Sequence, residues 1–165
     1  MADQDRDGVR RALSVGVVLV AVLGGLVGWL GSTVYQDREA DRNREVLLTA
    51  ARQCATNLTS LDYTQVESDV RRILDCSTGG FRVEFDGRSA SLIDVVKRSQ
   101  SASAGTVTET GLESVNGDEG IALVAVTVRT VVAGQGDDRP RSLRMRLTVT
   151  REGGEAKVAR VDFVT

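Results

Sequence analysis

At 165 residues the chain has room for one domain and an appendage, and 41% hydrophobic with 27% charged residues is the balance of a globular protein, not a disordered one. A formal net charge of -2 and only one Trp, two Tyr and three Phe leave no basic, aromatic-bearing surface for gripping nucleic acid. Two cysteines without any histidine fall short of the four ligands a zinc ion takes, so neither metal nor cofactor is expected.

Residues 1–11 carry Arg6, Arg10 and Arg11, and from Ala12 to Gln36 no side chain is charged. The stretch ALSVGVVLVAVLGGLVGWL (Ala12 to Leu30) is apolar or small throughout and about as long as a helix that crosses the hydrocarbon of a bilayer. It exceeds the roughly 7–15 residues of a secretory h-region, runs on into GSTVYQ without an A-x-A-like site, and lacks the polar face of a core helix. We therefore expect a transmembrane helix over residues 12–34. Flanking Lys and Arg set orientation, so Arg10 and Arg11 predict a cytoplasmic N-terminus, an extracytoplasmic remainder and a single pass through the plasma membrane. Trp29 and Tyr35 then fall at the outer interface. Gly24, Gly28 and Ser32 recur every four residues, a spacing that lets a second helix approach, although glycine is common in membrane helices without a partner.

The stalk and a first amphipathic helix are expected over residues 35–62, and the rest of an extracytoplasmic domain over 63–165. Leu47, Ala51, Cys54, Leu58 and Leu61 recur every three or four residues and form the apolar stripe of that helix. Thr64-Gln-Val-Glu67 has the capping-box pattern, with each side chain placed to satisfy a free backbone amide of a second helix. Its stripe is Val66, Val70, Ile73 and Leu74; Cys76 lies one turn past Ile73, and Gly79-Gly80 is expected to end it.

Cys54 and Cys76 are the only cysteines, and an oxidising compartment favours their pairing. Closing about 22 residues would stabilise the fold by roughly 3 kcal/mol. A straight antiparallel hairpin opposes it, because there the two positions would be offset by on the order of 10 Å along the axis, beyond the roughly 7 Å that a disulfide spans between Cα atoms. A bridge requires the helices to cross steeply or the chain to bend back before Cys76; otherwise the two are small buried hydrophobes.

A short third helix is expected from Ser89, with Leu92, Ile93 and Val96 on one face, and SQSASAG reads as the link to a sheet. The period then changes to two. TVTETGLESV and IALVAVTVRTVV are joined by Asn116-Gly117-Asp118; the loop AGQGDDRPRS leads to LRMRLTVTRE, with Leu143, Met145, Leu147 and Val149 facing one way. Gly153-Gly154 makes a hairpin into EAKVARVDFVT, where Ala159, Val161 and Phe163 alternate. Four strands with short turns make an antiparallel meander that needs one face covered by the preceding helices, so the fold class is α+β.

The stretch ARQCATNLTSLDYTQVESDVRRILDCSTGGFRVEF (Ala51 to Phe85), behind one N-terminal anchor and ahead of VTETGLESV and ALVAVTVRTV, resembles the Mce-associated membrane proteins of actinobacteria. NLTSLDY, the V-x-x-I-L-D plus T-G-G-F segment and the final double-glycine hairpin carry the likeness as a set. The resemblance implies an NTF2-like or VirB8-like cone with helices packed on a curved four-stranded sheet. It also implies an accessory role in assembling or stabilising an Mce-type lipid import complex, with Mce proteins as partners and sterols or fatty acids as cargo. It transfers no catalytic residue.

NTF2-like cones also host isomerase chemistry, which needs a carboxylate base and a donor such as Tyr; Asp62 and Tyr63 are adjacent, but they fall in a turn where an Asx cap is the plainer reading, so no enzyme is expected. A scaffold in another envelope or secretion assembly is the main alternative, and a lipid-binding domain another. Arg129, Arg144, Arg146 and Arg160 read as a solvated sheet face partnered by Asp162 or Glu155, and Asn57-Leu-Thr59 as an accidental glycosylation pattern.

Overall fold

The computed structural model describes residues 39–132 and 139–164. The transmembrane helix expected over residues 12–34, with Gly24, Gly28 and Ser32, lies outside the described residues. Among the described residues no helix is long and apolar enough to cross a membrane. The chain divides into two compact units, Met1–Arg42 and Asn43–Thr165. The described part of the first, residues 39–42, is helical, and the sheet and its helices belong to the second.

Helix α1 (residues 39–59) is followed by α2 (Val66–Asp75), α3 (Gly79–Ser99), β1 (Ser101–Asn116), β2 (Glu119–Val132), β3 (Arg141–Glu152) and β4 (Glu155–Val164). The strands form one antiparallel sheet in the order β1-β2-β3-β4. This is the expected α+β meander. The β1–β2 and β3–β4 hairpins turn on glycines in the left-handed region, Gly117 at φ 59° and Gly153 and Gly154 at φ 59° and 93°, which short strand connections favour.

The core is the layer between α1 and the inner face of the sheet. Leu47, Ala51 and Cys54 of the expected stripe are fully buried, and they pack with Ala122, Val124, Val126, Met145, Leu147, Val149 and Val158. Helix and sheet approach closely: a Cβ built on Gly120 would lie 2.9 Å from Leu47 Cδ1. Val66, Val70 and Val96 form a smaller cluster where α2 meets α3, joined by Leu61, Leu74, Phe85, Leu92 and Ile93.

Four local expectations need correction. Thr64 does not cap α2: the N-cap is Gln65, and Glu67 pairs instead with Lys97 of α3. Gly79-Gly80 does not end α2, which stops at Asp75, but opens α3, Gly79 taking φ 54°. Helix α3 runs for 21 residues, ten further back than Ser89. Phe81, Val83 and Phe85 alternate like a strand and hide it; in the helix Phe81 and Phe85 stack one turn apart with ring centroids at 5.9 Å, and Val83 is left 75% exposed. Finally, SQSASAG is not a link, because β1 begins at Ser101 and pairs with β2 from there.

In β4 the alternation holds only in part. A register shift at Ala159 puts Val158 opposite Val149 and Val161 opposite Leu147, so both valines face the core three residues apart. Phe163, past the bulge near the strand end, is 68% exposed. Leu143, Met145, Leu147 and Val149 do share the inner face, with the last three buried.

Candidate interaction surface

The end of α1 is fastened at three points. Cys54 and Cys76 are joined by a disulfide with a Cα separation of 5.6 Å. The offset of a straight hairpin is avoided because the chain leaves helix at Cys76, the C-cap of the ten-residue α2, and turns onto the edge of β4. There the Thr78 N–H donates to the Val158 carbonyl at 2.8 Å and the Val158 N–H to the Cys76 carbonyl at 2.9 Å. The bridge therefore ties α1 to the start of β4 as well as to α2.

The second point is the connector after α1. Leu61 and Ser103 exchange backbone hydrogen bonds at 3.1 and 2.7 Å, so residues 61–63 cover the start of the β1 edge. The third is Asp69, a buried carboxylate that the sequence patterns do not single out. It accepts from the Asp62 N–H at 2.8 Å and from the Arg72 guanidinium at 2.8 Å. The sequence shows its i,i+3 spacing from Arg72, but its burial depends on where the connector returns.

Asp62 and Tyr63 sit in this connector as an Asx turn. The Thr64 N–H and hydroxyl donate to Asp62 Oδ1 at 2.8 and 2.7 Å, and the Tyr63 N–H donates to the Ser101 carbonyl. The Thr64 hydroxyl and then the Thr64 N–H hold the Asp62 carboxyl below its ordinary value of 3.8. Because the folded state favours the ionised form, this contribution is complete above the unfolded value and lost as pH falls through the folded one. We expect Asp62→Asn to lower the melting temperature at about pH 7, and the difference from wild type to shrink progressively as the pH falls below the unfolded value. Thermal melts across that range check it, and a difference that does not change with pH would reject the assignment.

The remaining expected features have structural partners. The Asn57 side chain donates to the Arg72 carbonyl, while the hydroxyl of buried Thr59 donates to the Ala55 carbonyl at 2.7 Å. Arg146 is partnered by neither Asp162 nor Glu155. It reaches over β2 to Glu113 on β1, with two contacts of 2.8 Å. Strand alternation does not reveal Glu113, because it occupies a bulge between Leu112 and Ser114 that turns it onto the outer face out of phase.

That outer face, turned away from α1, is covered by no helix among the described residues. Register places Glu109, Ala125, Arg144 and Val164 in one row across the four strands, and Gly111, Leu123, Arg146 and Asp162 in the next. The rows enclose a shallow depression of about 400 Å³ lined by Glu109, Gly111, Leu123, Ala125, Arg144 and Val164. Leu123 and Val164 are 45% and 46% exposed. A second, polar depression of about 630 Å³ lies where α2 gives way to α3, between Thr78, Arg82, Glu152 and Lys157. Among the described residues no cluster of three or more Asp, Glu or Cys side chains suits a metal ion.

A family model described as "Uncharacterized protein Rv1363c/MT1408-like" matches residues 10–165. The chain is 36% identical over 153 residues to the uncharacterized protein Rv1363c of Mycobacterium tuberculosis, a match that covers 93% of this chain and 59% of that protein. It therefore spans less than two thirds of that relative's length. Among solved structures, an IcmL-like type IV secretion system protein from Legionella pneumophila is similar with a TM-score of 0.58 and 16% identity, over 73% of this chain and 91% of that one. The periplasmic domain of DotI matches with a TM-score of 0.54 and 11% identity over 71% and 91%. VirB8 of Agrobacterium tumefaciens matches with 0.53 and 11% over 75% and 94%. At such identities the likeness is one of fold.

Proposed function

The chain belongs to the Rv1363c/MT1408-like family, and from that membership and its VirB8-like fold we propose that it is a membrane-anchored, non-enzymatic scaffold subunit of a cell-envelope assembly. The observation that carries this is the filled interior. The inner face of the sheet, where an enzyme or carrier of this shape would keep a pocket, is packed against α1 by residues with no exposure, among them Leu47, Ala51, Cys54, Leu147 and Val149. What the domain offers is outer surface, and surface acts through protein contacts.

In this reading the residues 12–34 form the anchor, the N-terminus is cytoplasmic, and the domain from residue 43 onward works outside the plasma membrane. Gly24, Gly28 and Ser32 give the anchor a face for a neighbouring helix. The assembly is an Mce-type importer of sterols or fatty acids, as the NLTSLDY and T-G-G-F segments suggest, and the subunit stabilises the complex without handling lipid itself. The folds of the IcmL-like protein, DotI and VirB8 support the broader role, that of a scaffold in an envelope or secretion assembly.

The test is affinity purification of the full-length protein from its native membrane in mild detergent, with mass spectrometry of what accompanies it. We expect Mce-type substrate-binding proteins or their permease and ATPase. Subunits of a different secretion assembly would keep the scaffold and discard the lipid importer. Co-purifying lipid with no protein partner would overturn both.

A further inference from the structure

We propose that the outer face of the sheet is a homotypic docking surface, on which a second copy of this chain packs face to face about a two-fold axis running along β2. The inference goes beyond the scaffold role and does not depend on which assembly is served. It rests on charge placement. Glu109 on β1 and Arg144 on β3 lie in one row on either side of Ala125 on β2. Both line the apolar depression, and among the described residues neither has an ion-pair partner. Arg146, one row on, is already engaged by Glu113 and does not compete for Glu109.

Two opposite, unpartnered charges equidistant from a central strand are self-complementary under one operation. Rotation about an axis along β2 carries β1 of one copy over β3 of the other, so Glu109 meets Arg144 of the second copy and Arg144 meets its Glu109. An axis across the strands would instead set Glu109 against Glu109 and Arg144 against Arg144. The charges therefore select the orientation.

The other residues of the face agree with that axis. Leu123, exposed on β2, falls on the axis against its own copy and gives the contact an apolar centre. Gly111 comes opposite Arg146, and with no side chain there it leaves room for the Arg146–Glu113 pair. Ser114 meets Thr148 and Thr106 meets Ser142, small polar groups without like charges. Twisted sheets packed face to face, about 10 Å apart, hold their strands about 30° from parallel. The two β2 strands thus diverge away from Leu123, which separates the two copies of Glu119 at the hairpin end.

Charge exchange tests this in the full-length protein in mild detergent, with oligomeric state read by light scattering. Wild type is expected to be dimeric, and Glu109→Arg and Arg144→Glu are each expected to raise the dissociation constant by about tenfold or more. Mixing the two single variants should restore a dimer, because both contacts then join arginine to glutamate; the double exchange should dimerise by itself. As an independent check that leaves the charges intact, a short bifunctional thiol reagent long enough to bridge sheets about 10 Å apart should cross-link Leu123→Cys into a dimer, while Val83→Cys, exposed on α3, should stay uncross-linked. A monomeric wild type, single variants that dimerise as wild type does, or equal cross-linking at positions 83 and 123 would each overturn the proposal.

Discussion

Replacing Cys54 and Cys76 together by alanine is expected to lower the free energy of unfolding by about 3 kcal/mol, the magnitude set by the chain entropy of a closed loop of this size. The bridge spans 22 residues and encloses the end of α1, the Asx turn and all of α2. Without it the unfolded chain regains that freedom, and in the folded chain α1 meets β4 through packing, while the two backbone hydrogen bonds at Thr78 and Val158 tie only the segment after α2 to β4. The effect should appear as a lower urea midpoint with a steeper slope, because the freed unfolded chain exposes more surface, and as a melting temperature lower by roughly 10 °C. Wild type measured under reducing conditions should lose a similar amount. A loss under about 1 kcal/mol would mean that the bridge does not constrain the unfolded state.

Gly105→Ala is expected to cost about 2–3 kcal/mol, at the upper end for overpacking a rigid site. A Cβ there would lie 1.8 Å from Thr59 Oγ1 and 2.6 Å from Thr59 Cβ, with Val126 Cγ1 at 3.3 Å. Rotating the Thr59 hydroxyl away cannot relieve the contact, since Cβ itself is too close. The end of α1 would have to lift, weakening the hydrogen bond from the Gly105 N–H to the Ser60 hydroxyl and the Leu61–Ser103 pair beside it. Gly87→Ala is the control. Gly87 is helical with nothing within 4 Å of a built Cβ, so alanine there should stabilise α3 by about 0.5–1 kcal/mol. Urea unfolding of the two variants side by side checks both signs; equal effects would show that Gly105 is not a contact point.

Local pattern is informative where one face of an element is buried and the other wet. The stripe of α1 and the alternation of β3 arise from that contrast, and so does the antiparallel meander, since double glycine and Asn-Gly pairs mark hairpins independently of what packs on them. Helix α3 is only half visible in the sequence, because its inner contacts are few and its first ten residues carry both Val83 outward and Gly87 in mid-helix. The capping box at Thr64 and Glu67 is a sound local pattern that loses to one nearer partner and one distant one. Asp62 takes the threonine and Lys97 the glutamate.

Composition, period and turn residues are sufficient for the α+β class, the order of the elements and the stripe that carries Cys54, because these depend on neighbours within a few positions of each other. The disulfide, the burial of Asp69, the need for glycine at 105 and the row that sets Glu109 and Arg144 on either side of Ala125 depend on contacts between residues far apart in the chain. Strand register, shifted by two bulges in β1 and one in β4, and the bend of the chain at Cys76 decide those contacts. A slip of one residue in register would turn the same side chains to the opposite face, so only the folded sheet determines which of them meet.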